Sequence, residues 1–258
     1  METLKEIFEY RQMIFSLVKK DLRGRYKGSV LGFLWTFINP LMQLMVFTMV
    51  FSVILRSDIE KYYLFLFVAL IPWNFFSSCL SGGARSVLNE QSLVTKIYFP
   101  REVLPISYVT SGFINMMYCF IVVFAVVILS GIKINPLALL CLIPVMIIEY
   151  VMALGVTFFT SAVTVYFRDF EHIMGVVGMA WQYLTPVMYP TSWIPEKLLI
   201  VFNLNPMTHV ILAYRDILYY GRIPDMSTLV RAAVFAVVIL LVGFFTFKAL
   251  KRKFAEEM

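Results

Sequence analysis

The chain has 258 residues, of which 60% are hydrophobic and 16% aromatic, and its mean hydropathy is +0.82. Soluble globular domains contain about 45–50% apolar residues, so this composition excludes a soluble globular domain. The net charge of +6 is better explained by lysines and arginines that flank membrane spans than by nucleic-acid binding, and no nucleic-acid partner is expected. The length allows about six spans of roughly 20 residues each.

The first segment, residues 4–26, is predicted to be an amphipathic helix that lies in the membrane interface without crossing the membrane. At 100° per residue its apolar side chains share one face, and most of its charged side chains take the other, toward lipid headgroups. Arg11 interrupts the apolar face. A helix packed on a protein neighbour is the alternative. The apolar face consists of Leu4, Ile7, Phe8, Ile14, Phe15, Val18 and Leu22.

Three glycines recur every four residues where the interface helix leads into the first span: Gly24, Gly28 and Gly32. Small residues at this spacing allow two backbones to approach closely. We therefore expect close packing at a fixed elbow.

Six long hydrophobic stretches follow, and each is predicted to be a transmembrane helix. They cover residues 31–55, 62–80, 103–130, 137–167, 173–189 and 228–250. The predicted fold is an all-α membrane protein with six transmembrane helices, formed by residues 1–258 as a single domain. Residues 1–30 form its interface segment and residues 251–258 a polar tail.

The connection between the fifth and sixth spans, residues 190–225, is too apolar for a solvated loop. Asn205 before Pro206 is a strong signal for a helix start, because the amide caps the helix and proline is favoured at the first helical position. We expect two short re-entrant helices, at about residues 195–204 and 206–220. Such irregular backbone is tolerated at membrane depth only when it is buried in protein or lines a cavity.

The distribution of lysine and arginine predicts the orientation. With both termini in the cytoplasm, 15 of these residues lie on the cytoplasmic side and 7 on the opposite side. We therefore expect a multi-pass protein of the cytoplasmic (inner) membrane with both termini inside.

No catalytic or metal-binding residues are expected. The sequence contains no P-loop, and its two histidines, His172 and His209, are too few for a histidine cluster. The membrane core holds one clear ionisable residue, Glu149, which is costly there unless it is neutral, paired or in contact with water. Both a cavity role and a hydrogen-bonded structural role stay open for it.

Four short motifs resemble one known family. The run RYKGSVLGFLW at residues 25–35 resembles the start of the first span in membrane subunits of type-2 ABC exporters. The resemblance is strongest to the branch that exports O-antigen, capsule or teichoic-acid polymers. YFRDF at residues 166–170 resembles that family's turn between the fourth and fifth spans. TPVMY at residues 185–189, and NPMTH at residues 205–209, resemble its re-entrant segment.

The resemblance implies a homodimeric pore with two separate ATP-binding subunits beneath it, so ATP and magnesium would bind to the partner and this chain would carry no cofactor. In this family, cytoplasmic elements after the second and fourth spans pass nucleotide-driven motion to the pore. A solvated linker is the alternative for residues 89–99. The expected coupling residues are Leu93, Val94, Ile97, Tyr98, Arg168 and Asp169.

A polymer channel can use aromatic side chains, because they stack on the apolar faces of sugar rings. Anchoring in lipid, or packing, is the alternative for each of them. The family's dimer seam, formed by its first and fifth spans, favours Trp35 and Trp181. Arg25 and Lys27 lie where a lipid headgroup with a pyrophosphate would enter, although plain charge anchoring explains them equally well. The aromatic candidates are Phe33, Trp35, Phe37, Trp73, Trp181 and Tyr183.

The leading hypothesis is the membrane subunit of an ATP-driven exporter of a lipid-linked polysaccharide. Its expected partners are a second copy of the chain, two ATP-binding subunits, the polysaccharide and membrane lipids. A type-2 exporter of a drug or small lipid is the alternative within transport. An intramembrane transferase is disfavoured because it would need clustered acidic or histidine residues near an interface.

Overall fold

The computed structural model describes residues 2–25, 27–54, 58–132 and 135–258, and every regular element in these ranges is a helix. This confirms the all-α prediction. The α-helices are α1 (Glu2–Glu9), α2 (Arg11–Gly24), α3 (Trp35–Thr48), α4 (Tyr62–Ser81), α5 (Gln91–Lys96), α6 (Val103–Leu129), α7 (Pro136–Leu140), α8 (Leu142–Tyr166), α9 (Phe170–Tyr183), α10 (Leu199–Leu204), α11 (Pro206–Leu218), α12 (Met226–Leu250) and α13 (Phe254–Glu257).

Five helical segments in the described part of the chain are long and apolar enough to cross a membrane. The shortest has 21 residues, which at 1.5 Å per residue spans about 32 Å and matches a hydrocarbon core of about 30 Å. They correspond to the first, second, third, fourth and sixth predicted spans. Their bounds are Gly32–Ser52, Tyr62–Arg85, Val103–Leu129, Pro136–Tyr166 and Met226–Lys253.

The fifth predicted span is shorter than expected. Helix α9 has 14 residues, about 21 Å, and it ends at Tyr183, six residues before the predicted boundary. Pro186 cannot continue the helical hydrogen bonds, and it disfavours helical backbone in the residue before it. The chain turns here, and Asn205 Nδ2 donates to the carbonyl of Leu184 at 2.9 Å.

The N-terminal segment consists of two helices, α1 and α2, separated at Tyr10. Helix α2 packs along α6, and Val18 of the predicted apolar face is buried. Phe8 and Phe15 of the same face stay exposed. Thus part of the apolar face contacts the protein's own third span, and part is available to a membrane surface.

The expectation of close packing at the three glycines is wrong. A Cβ added to Gly24, Gly28 or Gly32 would meet no atom within 4 Å. Glycine is favoured at two of these positions because the backbone there is left-handed, with φ of +83° at Gly28 and +48° at Gly32. The elbow is therefore a sequence of turns and not a continuation of a helix.

Helix α4 is the centre of the bundle. It packs against α3, α6, α8, α9 and α11, and most of its side chains are buried. From Leu64 to Leu70 every side chain is almost completely inaccessible. The other spans leave much more of their own surface exposed.

Helices α8 and α12 pack with their backbones in direct contact. A Cβ on Gly243 would overlap the carbonyl of Gly155, and a Cβ on Gly155 would stand 2.5 Å from the backbone nitrogen of Leu240. Only glycine permits this approach.

Both termini lie at one end of the bundle, which we call the basal end; it contains residues 2–24, 82–102, 167–170 and 251–258. The predicted polar tail is folded here, since Phe254 is completely buried against Phe247. Lys251 forms an ion pair with the buried Glu102. An apolar cluster that includes Val87, Val94, Phe99, Phe158, Phe247 and Phe254 fills this end.

The opposite, distal end contains residues 58–61, 130–132 and 184–225, and includes both short helices between α9 and α12. Helix α11 begins as predicted: Asn205 Oδ1 accepts a hydrogen bond from the Met207 amide at 3.1 Å, and Pro206 follows the cap. Nearly all side chains of α11 are buried in protein, which satisfies the condition for a short helix at membrane depth. Helix α10 begins at Leu199, after a 3₁₀ turn.

Candidate functional site

A polar cleft of about 250 Å³ lies among the first three spans, between α3, α4 and α6. Its polar walls come from residues that interrupt otherwise apolar helices. Amide side chains dominate, and one arginine stands at the basal end. The polar lining residues are Arg25, Thr36, Asn39, Gln43, Asn74, Ser78 and Asn115.

One face of α3 supplies three of the lining side chains. Trp35, Asn39 and Gln43 follow each other at intervals of four residues, so they share a face, and all three are exposed. On the facing helix, Asn74 Nδ2 donates to Gln43 Oε1 at 2.7 Å. Exposed amides at membrane depth are costly in contact with lipid chains. This face of α3 therefore requires water, protein or a polar ligand against it.

The predicted aromatic residues divide into exposed and internal groups. Phe33, Trp35 and Tyr183 are exposed. Phe37 is half-buried and meets the ring of Phe33 edge to face, with centroids 5.4 Å apart. Trp35 Nε1 donates to Ser29 Oγ at 3.0 Å, which fixes the orientation of the indole.

Trp73 belongs to the interior, and Trp181 is half-buried. Trp73 is 1% exposed and packs against Phe76, which meets Trp181 edge to face at 5.2 Å. Trp181 Nε1 also donates to Asn205 Oδ1 at 2.9 Å. In this conformation Trp73 contacts only protein, and Trp181 helps to attach the end of α9 to the start of α11.

Arg25 lies where two cavities meet. It lines the polar cleft and also a basal cavity of about 390 Å³ between α2 and α6. Its Nε is 2.9 Å from Asp21 Oδ2, and its Nη2 donates to Ser111 Oγ at 3.3 Å. Lys27, the other predicted headgroup contact, is exposed in the turn that follows.

The predicted coupling residues face in two directions. Val94 is buried in the basal cluster, and Leu93 packs beside it. Ile97 and Tyr98 point outward, with 55% and 86% of their surfaces exposed. After α8, Phe167, Arg168 and Asp169 are likewise exposed at this end.

Glu149 is completely buried between α8 and α11. Tyr214 donates its hydroxyl hydrogen bond to Glu149 Oε2 at 2.6 Å, whereas Oε1 has no partner among the described residues. This hydrogen bond to Tyr214 agrees with a structural role for Glu149.

Replacing Glu149 with glutamine is expected to lower the free energy of unfolding by about 1 kcal/mol or more, because the amide oxygen still accepts from Tyr214 while the NH2 group, in the place of Oε1, has no acceptor among the described residues. Tyr214→Phe removes the donor and is expected to cost about 2 kcal/mol. Thermal unfolding of the solubilised protein measures both. A Glu149→Gln variant that folds normally but transports nothing would instead assign the carboxyl group a role in transport.

Arg215 of α11 is buried and holds the distal end together. Its Nη2 donates to the carbonyl of Val187 at 2.6 Å, its Nη1 to that of Tyr189 at 3.3 Å, and its Nε to that of Phe65 at 3.4 Å. The guanidinium also stands 3.5 Å from the centroid of the Phe65 ring. One side chain thus connects α11, the segment after α9 and the second span.

The amides of the cleft are not among the site residues predicted from the sequence. The signal was present, because Gln43, Asn74 and Asn115 each interrupt a predicted span. The sequence alone does not reveal how α3, α4 and α6 are turned about their axes so that these three side chains line one cleft.

These features define a polytopic helical membrane protein with an interface helix, short helices inserted at the distal end and a polar cleft among its first spans. Residues 12–219 match the family model of the ABC-2 type transporter, and the chain belongs to this family. The match confirms the resemblance carried by the four motifs.

Several relatives are similar over nearly their full length. The chain is 35% identical over 260 residues to an O-antigen export system permease protein RfbA of Myxococcus xanthus, covering 99% of this chain and 98% of that protein. It is 30% identical over 245 residues to an RfbA of Klebsiella pneumoniae, covering 95% and 94%. Identity to the polysialic acid transport protein KpsM of Escherichia coli is 22% over 243 residues, covering 92% and 93%.

Proposed function

We propose that this chain is the membrane subunit of an ATP-driven exporter that moves a lipid-linked polysaccharide, of O-antigen, capsule or teichoic-acid type, across the cytoplasmic membrane. The observation that carries the proposal is the end-to-end similarity to proteins named as O-antigen export permeases. The polar cleft agrees with it, because a hydroxyl-rich polymer needs polar partners within the membrane.

The proposed assembly contains two copies of this chain. Supporting it, the exposed amides of α3 cannot face lipid chains without a large cost, so a second protomer or a hydrated seam is expected on that side. Helix α9 also leaves apolar side chains exposed, including Val176 and Met179, which a second copy or lipid would cover. The pore would form where α3 and α9 of the two copies meet.

Two ATP-binding subunits, which hold ATP and magnesium, would dock at the basal end. The excess of lysine and arginine on the segments of this end supports its cytoplasmic position. Ile97 and Tyr98 offer exposed apolar surface outside the membrane, where such surface is typical of a protein contact. Arg168 and Asp169 would contribute charged contacts from the turn after α8.

The test is co-purification with the ATP-binding protein encoded beside this chain, followed by ATPase assays. We expect a complex of two copies of each protein, whose ATP turnover differs from that of the isolated ATP-binding protein. Ile97→Ser with Tyr98→Ser should weaken this complex about tenfold or more, because exposed apolar anchors dominate protein interfaces.

The matched control is Ile223→Ser with Tyr220→Ser at the distal end. Ile223 is 53% exposed, close to the 55% of Ile97, whereas Tyr220 is 52% exposed and Tyr98 is 86%, so the control matches the residue types and removes somewhat less surface. The control should leave the complex intact. Equal binding by both double variants would overturn the docking site, and normal surface polysaccharide in a strain without this chain would overturn the function.

A further inference from the structure

We propose that the polar cleft is a carbohydrate-binding subsite, in which Asn39, Gln43 and Asn74 hydrogen-bond the hydroxyls of a sugar unit that stacks on Trp35. The inference rests on the proposed function. It adds the place in each protomer where the polymer is recognised, and assigns it to amides of the first and second spans.

The pairing of an indole with amides fits the two surfaces of a sugar ring. The ring offers apolar C–H groups on its faces and hydroxyls around its edge. Trp35 is 37% exposed, and its bond to Ser29 fixes the indole for stacking. Asn39 and Gln43 follow on the same face of α3, each about 6 Å further along the helix.

The amides have unused hydrogen-bonding capacity. Each primary amide offers two donor hydrogens and an acceptor oxygen. Gln43 and Asn74 share one hydrogen bond, and the side chain of Asn39 makes none with the residues that the structure describes. Because these groups are exposed at membrane depth, leaving them in hydrocarbon would be costly. The hydroxyls of the polymer supply hydrogen-bond partners for these amides as it passes.

The size of the cleft suits a short piece of chain. The volume of the cleft is about 250 Å³. This is room for one sugar unit, with the rest of the polymer running past the open side. Modest contacts of this kind suit transport, because each sugar unit must bind and then leave.

The competing explanation is that the amides only join helices, and the Gln43–Asn74 hydrogen bond has that form. Asn39 separates the two explanations, since its side chain joins no described residue. A role in joining helices within one protomer predicts no effect of Asn39→Ala on transport. A sugar-binding role predicts lost transport without lost stability.

The first test measures export by Asn39→Ala, with Met45→Ala as the matched control on an exposed apolar part of α3. We expect surface polysaccharide to fall about fivefold in Asn39→Ala, as for the loss of one neutral hydrogen bond, with the Tm unchanged. Met45→Ala should export normally. Normal export by Asn39→Ala would overturn the subsite.

The second test places a cysteine at position 39 after the three native cysteines are replaced by alanine. A membrane-impermeant maleimide should label Asn39→Cys faster than Met45→Cys. Labelling should slow in cells that make the lipid-linked polymer, compared with cells in which its synthesis is blocked. A labelling rate at position 39 that is the same with and without the polymer, or no labelling at all, would overturn the subsite.

The two proposals fail in different ways. If the chain exports something other than a polysaccharide, deleting it leaves surface polysaccharide unchanged, whatever happens at position 39. If only the subsite is wrong, deletion abolishes surface polysaccharide while Asn39→Ala exports it normally.

Discussion

Replacing Gly243 with valine is expected to prevent stable packing of α8 on α12. The first added carbon already overlaps the carbonyl of Gly155, and backbone cannot move aside as a flexible side chain can. Overpacking costs about 1–3 kcal/mol where side chains can adjust, so we expect at least about 3 kcal/mol here. Thermal unfolding of the solubilised protein should show a Tm lower by roughly 10 °C, or no folded protein.

Gly175→Ala is the control for this prediction. Gly175 also lies in a helix, but a Cβ there would meet nothing within 4 Å. Alanine is the better helix former, so its Tm should equal or slightly exceed that of the unmodified chain. If Gly243→Val unfolded at the same temperature as Gly175→Ala, the backbone contact between α8 and α12 would be disproved.

Arg215→Met is expected to release the segment after α9 from the second span. Methionine fills part of the volume but donates nothing to the carbonyls of Val187, Tyr189 and Phe65. Each buried acceptor left unpaired costs about 1–3 kcal/mol, so we expect a loss of about 3 kcal/mol or more. A cysteine placed at the fully buried Val187 should react slowly with maleimide beside Arg215, and rapidly in the Arg215→Met protein.

Arg222→Met is the matched control, because it removes the same residue type seven positions away. The Arg222 side chain is exposed and pairs with Asp216. Asp216 is buried, so the loss of this ion pair has a cost of its own, but among the described residues Arg222 forms no hydrogen bond with the segment after α9, and the cysteine at position 187 should stay protected. Equal reactivity in both variants would mean that Arg215 does not hold this segment.

Most spans could be predicted from the sequence because a long apolar run determines a transmembrane helix almost alone. The second span, predicted at residues 62–80, is Tyr62–Ser81 as a helix, and the third, predicted at 103–130, is Val103–Leu129. Asn205 was also predictable as a cap, because capping is a local interaction.

The features that escaped prediction depend on contacts between distant segments. Asn205 binds Leu184 and Trp181 as well as its own helix, and this bond helps to end α9 early. The spacing of Gly28 suggested packing, but spacing does not reveal a positive φ. Gly155 and Gly243 carry the close contact instead, and they are 88 positions apart in the sequence.

The candidate site was predicted in part. The sequence indicated a sugar-binding role for Trp35 because aromatic side chains stack on sugars, and the residue lines the cleft. The same reasoning selected Trp73, but composition cannot distinguish an indole buried against Phe76 from one that faces a channel. The role of all these residues in transport stays a prediction.

The burial of α4 has a consequence for how this protein can vary. A leucine side chain is almost equally stable among lipid chains and among apolar side chains, so hydropathy does not hold α4 at the centre of the bundle. The complementary shapes of the packed side chains hold it there. Random mutagenesis should therefore find α12, the more apolar helix with its open outer surface, tolerant of exchanges among leucine, valine and isoleucine. The same exchanges between Leu64 and Leu70 should each cost up to about 1.5 kcal/mol, although every hydropathy plot would score them as silent.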